Sequence, residues 1–165
     1  MGYDIEIAHE SGRHLAVTRF ESRVDEFGER MGAAFGTVAA YLGAAGVPFT
    51  GPAVARYEVL GDGAFAVAAG FVVEGPFEGG RGVEHEQLPV CDVARTVHVG
   101  PYDRLREAYE ALGEGAASHG REIDESIPMW EEYLDGPEVP QEQTRTVVSR
   151  PLRPGAATAA WGLGG

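Results

Sequence analysis

The sequence predicts an α+β domain of two β-α-β-β halves related by a pseudo-twofold, with an antiparallel sheet, both helices on one face, and a ligand cleft between the halves. Three observations predict it. A gapless shift lays Ile5–Phe20 (IEIAHESGRHLAVTRF) over Val83–His98 (VEHEQLPVCDVARTVH), setting Glu6 on Glu84, Ala16 on Ala94 and Thr18 on Thr96. The same shift carries the apolar positions Val24, Phe27, Met31, Ala34 and Val38 onto Tyr102, Leu105, Tyr109, Leu112 and Ala116, so two amphipathic helices keep one phase. Beyond the helices the register slips by an even step, which preserves strand parity, and ARYEVLGDG (55–63) faces EEYLDG (131–136), with Tyr57 the counterpart of Tyr133.

Each half opens on a strand, Ile5–Phe20 in the first and Val83–His98 in the second. The first helix follows from Val24 and stops at Gly46, with Pro48 just beyond; the second follows from Tyr102 and stops at Gly120. Each helix leads to a strand carrying a tyrosine and ending in a turn, Gly-Asp-Gly or Asp-Gly-Pro. A closing strand comes next, AFAVAAGFVV (64–73) in one half and TRTVVSRPL (144–152) in the other. One such unit cannot bury its sheet and helix alone, so the two halves, 3–73 and 82–152, pair within a single domain, 1–152. The glycine-rich stretch 74–81 links them, and the Gly/Ala-rich tail 153–165, with Trp161, is expected to be mobile or loosely docked.

Composition narrows the function. The net charge is -13 and every basic residue is arginine, which excludes lysine Schiff-base and lysine general-base chemistry. So acidic a chain argues against nucleic acid, which demands a basic stripe, and favours cationic ligands. The lone Cys91 allows no internal disulfide. No segment reads as a signal peptide or approaches the ~20 apolar residues of a membrane span, so a soluble cytoplasmic protein is expected. His9, His14, His85, His98 and His119 show no HxH or HxxxH spacing, and no metal or other cofactor is expected. No GxSxG, GxGxxG or Walker pattern is present, and Cys91 shows no sign of activation.

What survives is an aromatic and acidic set: Tyr57, Phe71, Tyr102, Trp130, Glu131 and Tyr133. In PMWEEYLDGP (128–137), strand alternation puts Glu131 with Tyr133 on one face and Trp130 with Glu132 and Leu134 on the other. Either both glutamates face water or one faces a pocket. Phe71, Trp130 and Tyr102 read equally as core residues, and Arg145 is a candidate to neutralise Glu131 structurally.

WEEYLDGP resembles the glutamate-any-tyrosine strand of the GyrI-like small-molecule-binding family, whose fold also serves as effector domain in AraC-type and MerR-type multidrug regulators. TVHVGPYDRLREAYEAL is similar to that family's histidine, Gly-x-Tyr and helix-two signature, and GPAVARYEV precedes the first hairpin in the same way. The resemblance runs from Tyr3 to about Leu152. It implies a duplicated SHS2-like fold and, with no helix-turn-helix read in the chain, a free-standing member. It implies that Glu131 and Tyr133 contact the ligand, the spacing to Tyr133 favouring Glu131 over Glu132. The ligands it implies are lipophilic, often cationic aromatic molecules, including toxins. The alternatives it leaves are a hydrolase of cyclopropanoid DNA alkylators, with Glu131 and Tyr133 catalytic, and a gyrase-inhibitor-like interaction module. The spread of negative charge along the chain weakens that last reading.

Overall fold

The computed structural model of the protein describes residues 2–49, 51–136 and 138–155. In chain order the elements are β1 (Glu6–Glu10), β2 (His14–Arg23), α1 (Phe27–Ala45), β3 (Ala53–Gly61), β4 (Ala64–Val73), β5 (Glu84–Gln87), β6 (Cys91–Val99), α2 (Leu105–Ser118), β7 (Met129–Tyr133) and β8 (Arg145–Pro151). The α+β class and the internal repeat are both present: β1-β2-α1-β3-β4 is answered by β5-β6-α2-β7-β8. The tail beyond Gly155, Trp161 included, lies outside the described residues.

The opening strand of each half differs from expectation. Ile5–Phe20 is not one strand but two, β1 and β2, broken at Ser11-Gly12-Arg13, where Gly12 takes φ 94, a left-handed value that favours glycine. Its repeat, Val83–His98, breaks likewise into β5 and β6. The break matters because the short first pieces change partners: β1 pairs with β6, and β5 pairs with β2, each antiparallel. The chain accordingly falls into two compact units, Gly12–Pro89 and the combination of Met1–Ser11 with the chain from Val90 onward.

In the unit Gly12–Pro89 the strand order is β3-β4-β2-β5. Helix α1 buries the stripe Met31, Ala34, Val38 and Leu42, a 3-4 spacing that keeps one face inward. Val38 and Leu42 join Ala16, Val73 and Val83 in the core, with Phe49, Phe71 and Phe77 packed around it. The helix ends at Gly46, whose φ of 70 lets the Val47 N–H return to the Leu42 carbonyl at 2.9 Å. Strands β2 and β4 approach so closely at Gly70 that a Cβ there would collide with the Ala16 carbonyl.

In the other unit the order is β1-β6-β8-β7. Helix α2 buries Ala108, Leu112 and Ala116 against Ala94, Val148 and Leu152. It ends as expected near Gly120, at φ 70, with the Arg121 N–H on the Ala116 carbonyl at 2.8 Å. Directly opposed residues of an antiparallel pair share a sheet face. Glu131, Val148 and Thr96 therefore form one row, and Tyr133, Thr146 and His98 the next. Since Val148 belongs to the core under α2, both rows lie on the helix-bearing face. The glutamate and tyrosine thus share their face with α2, which supplies part of their surroundings.

Candidate functional site

Strand β7 is short because Asp135 ends it: that carboxylate accepts hydrogen bonds from the Arg145 backbone N–H at 2.9 Å and from its guanidinium at 2.9 and 3.0 Å. The fork fixes the turn into β8 and holds the Asp135 carboxyl below the usual carboxylate range. It also engages Arg145, whose side chain leaves β8 on the face opposite Thr146. The structural salt bridge envisaged between Arg145 and Glu131 is thus replaced by Arg145–Asp135.

Both glutamates of β7 are buried, Glu131 at 5% and Glu132 at 7% exposure, so neither is solvated. They occupy opposite faces. Burial of a carboxylate is costly unless its oxygens are hydrogen-bonded, and the two oxygens of Glu131 are served separately. Tyr133, two residues on along the same strand, donates its hydroxyl to Oε1 at 2.7 Å. Tyr109, from α2, donates to Oε2 in a short hydrogen bond. A carboxylate is thus held between two phenols, one from the strand and one from the helix, which fixes its position to a degree that a solvated glutamate lacks.

Tyr102 stands in a single 3-10 turn, Tyr102–Arg104, ahead of α2. Its ring meets that of Tyr133 edge-on, with centroids 6.0 Å apart, yet it is 52% exposed. Its phenol is pushed above the ordinary tyrosine value, first by burial and then by the negative charges of Glu131 and Asp135. A half-exposed ring beside a buried carboxylate is suited to lie against a cation.

The remaining expected residues are Trp130, Tyr57 and Phe71. Trp130, 1% exposed, lies on the same face of β7 as Glu132, away from Glu131, and its indole Nε1 is buried with no hydrogen-bond acceptor. Tyr57 and Phe71 belong to the unit Gly12–Pro89. There Tyr57 packs on Phe27 and Phe65, at 5.4 and 6.4 Å between centroids, and Phe71 on Phe35 and Phe49, at 5.8 and 4.7 Å. The structure thus gathers Glu131, Tyr133 and Tyr102 around one point and adds Tyr109. Sequence reading placed Tyr109 in the apolar stripe of α2, which is correct for its ring; its hydroxyl is the signal, since a tyrosine in such a stripe needs a polar partner.

Spacing along the chain likewise gave no hint of the pair His14 and His85, whose Nδ1 and Nε2 stand 2.8 Å apart across β2 and β5. Burial and then the neighbouring His14 lower the His85 pKa. Among the described residues no three His, Cys, Asp or Glu side chains gather as a metal site. None of the described helices is long and apolar enough to cross a membrane.

The family model for the GyrI-like small molecule binding domain matches residues 3–153. Among solved structures, the C-terminal domain of EcmrR is similar at 17% identity with a TM-score of 0.77, over 93% of this chain and 99% of that one. A hydrolase from Listeria innocua matches at 12% identity and TM-score 0.64, over 92% of each chain. SAV2435, solved bound to tetraphenylphosphonium, matches at 15% identity and TM-score 0.60, over 93% of this chain and 94% of that one. No curated protein matches.

Proposed function

The chain belongs to the GyrI-like small-molecule-binding family, and we propose that its ligands are lipophilic aromatic cations, bound in the cytoplasm against Glu131 with Tyr133 and Tyr102 as aromatic walls. The observation that carries this is the buried Glu131 carboxylate held by the hydroxyls of Tyr109 and Tyr133. A carboxylate in so apolar a place is worth retaining when it meets a charge that water solvates weakly, as in a cation whose charge is spread under aromatic groups. Ring contacts then add roughly 0.5 to 2 kcal/mol each. That SAV2435 was solved with tetraphenylphosphonium supplies the probe. Titration of the protein with tetraphenylphosphonium and, in parallel, with neutral triphenylphosphine oxide should give saturable binding of the cation and much weaker binding of the oxide. Equal binding of both would leave no role for the charge.

A second reading is favoured by the same contacts. Glu131 is in hydrogen-bond exchange with two phenols, a set able to move a proton, so it is suited to assist hydrolytic opening of a strained cyclopropane. The ring C–C bond would break, water would add its hydroxyl to one carbon, and the other carbon would take a proton. In that case Tyr133→Phe should lower turnover by a factor on the order of 100 while leaving affinity nearly unchanged. A pure binder should lose about 1 kcal/mol or less of affinity. Mass spectrometry of a cyclopropanoid alkylator incubated with wild type, E131Q and Y133F separates the two; unchanged compound in all three removes the hydrolytic reading for that substrate class.

A further inference from the structure

We propose that His98 is a positioning residue for Tyr102, acting through the Pro101 carbonyl, and that Tyr3 holds His98 in place for the task. The inference rests on reading Glu131, Tyr133 and Tyr102 as the ligand site and deepens it: the exposed wall of that site is set from beneath by a buried imidazole.

His98 lies on β6 in the row of Tyr133 and Thr146 and is 2% exposed, so both ring nitrogens must find partners within the protein. Nε2 stands 2.9 Å from the Pro101 carbonyl oxygen and Nδ1 stands 2.9 Å from the Tyr3 hydroxyl. A carbonyl only accepts, so Nε2 carries the proton; in the neutral ring Nδ1 is then the acceptor and Tyr3 the donor. The Tyr3 ring lies nearly parallel to the imidazole, at 23°, with centroids 6.0 Å apart. Burial and then Glu107 raise the Tyr3 phenol, which keeps it a donor across the neutral range.

The carbonyl gripped by His98 belongs to the residue just before Tyr102. It also accepts the Arg104 N–H at 3.2 Å, the first bond of the 3-10 turn, so two donors fix its direction. On the other side Gly100, at φ 133, turns the chain out of β6 and gives its N–H to the Thr144 carbonyl at 2.8 Å. Tyr102 itself is half exposed and meets one ring, that of Tyr133. A ring so open is not positioned by its own packing. Its place beside Glu131 follows from the backbone of the turn, and that backbone follows from His98.

The test uses side chains that keep one nitrogen at a time. Glutamine reaches the Nε2 position and keeps a donor for Pro101; asparagine reaches only the Nδ1 position and loses it. In ligand-free protein, His98→Asn should abolish the NOE between the Tyr102 and Tyr133 rings and bring the Tyr102 phenol titration down toward the ordinary tyrosine value, whereas His98→Gln should retain most of both, falling short of wild type only by the Tyr3 contact it gives up. This readout needs no ligand, so it stands even if tetraphenylphosphonium fails to bind and the reading of the site falls. With tetraphenylphosphonium, His98→Asn and Tyr102→Ala should each weaken binding about tenfold, and the double variant should be no weaker than Tyr102→Ala alone, as a shared route requires. An NOE undiminished in His98→Asn, or losses that add in the double variant, would overturn the proposal. Should His98→Asn not fold, Tyr3→Phe carries the same test, since it keeps the ring and deletes only the hydroxyl: an unchanged NOE and Tyr102 titration there would overturn it.

Discussion

Replacing Glu131 by glutamine tests the charge while keeping the shape. Glu131 is 5% exposed and each oxygen is held by a phenol, so the carboxylate cannot swing toward or away from a ligand. The phenyl groups of tetraphenylphosphonium keep its centre about 6 Å from any carboxylate, and at an effective dielectric of about 20 the attraction is about 2.8 kcal/mol. Glutamine restores part of this through its carbonyl dipole and retains one acceptor for the two phenols. The net loss should therefore be about 2 kcal/mol, or about thirtyfold in Kd. Isothermal titration of the cation and of triphenylphosphine oxide against both proteins measures it, and the oxide should change by no more than about twofold. Because the charge is buried, raising salt tenfold should move the wild-type affinity little. The same substitution should lower the Tyr102 phenol from its raised value by removing the second of its causes, leaving burial and Asp135. An unchanged cation affinity, with the Tyr102 titration shifted as expected, would refute the electrostatic reasoning, because it would show that the charge was removed and the ligand did not respond.

Three further outcomes follow from particular contacts. Tyr109→Phe and Tyr133→Phe each strip one donor from a buried carboxylate and should each cost about 1.5 to 3 kcal/mol in urea denaturation, with the two losses strongly non-additive. Gly115→Ala places a Cβ within 2.6 to 2.8 Å of three Ile5 side-chain carbons and should destabilise by about 1 to 3 kcal/mol, while Gly113→Ala, with nothing within 4 Å, should stabilise α2 by up to about 1 kcal/mol; thermal melts of the pair separate packing from propensity. The Asp92 carboxyl is held below its usual value by hydrogen bonds from His9 and Arg121, so its contribution to stability is present above the unfolded pKa and is lost as pH falls through the lower folded one. Asp92→Asn should flatten that part of the acid limb in denaturant melts below the ordinary aspartate pKa, where an unchanged limb would remove Asp92 from the account.

The fold was readable where periodicity carries it. Val38 and Leu112 stand in the cores beneath α1 and α2 because a helical stripe can be recognised without knowing what it packs on. Strand parity was likewise enough to separate Glu131 from Glu132. What could not be read was any feature set by a partner distant in sequence. The break at Ser11-Gly12 went unread, and that β1 pairs with β6 and not with a neighbour depends on register with residues 91–95. The hydroxyl of Tyr109 goes to a strand 22 residues later, and His98 takes its two partners from Tyr3 and Pro101. A side chain's polar end is local in sequence only when its partner is.

The repeat itself explains why the chemistry gathers in one unit. Carried through the alignment that sets Tyr57 on Tyr133, Glu131 falls on Ala55, and the helical shift sets Tyr109 on Met31. Ala55 is fully buried and Met31 nearly so, and Tyr57 lies in a nest of phenylalanines. At these positions the unit Gly12–Pro89 carries no charge: a small residue on the strand, a methionine on the helix, and a tyrosine ring packed on Phe27 and Phe65. The other unit uses the same three backbone positions for a carboxylate and two phenols, which replaces packing by a set of hydrogen bonds. That substitution costs desolvation of a charge and gains nothing for the fold that alanine and methionine do not already supply. A ligand that needs the charge, as proposed above, would account for that cost beside an exposed ring, Tyr102.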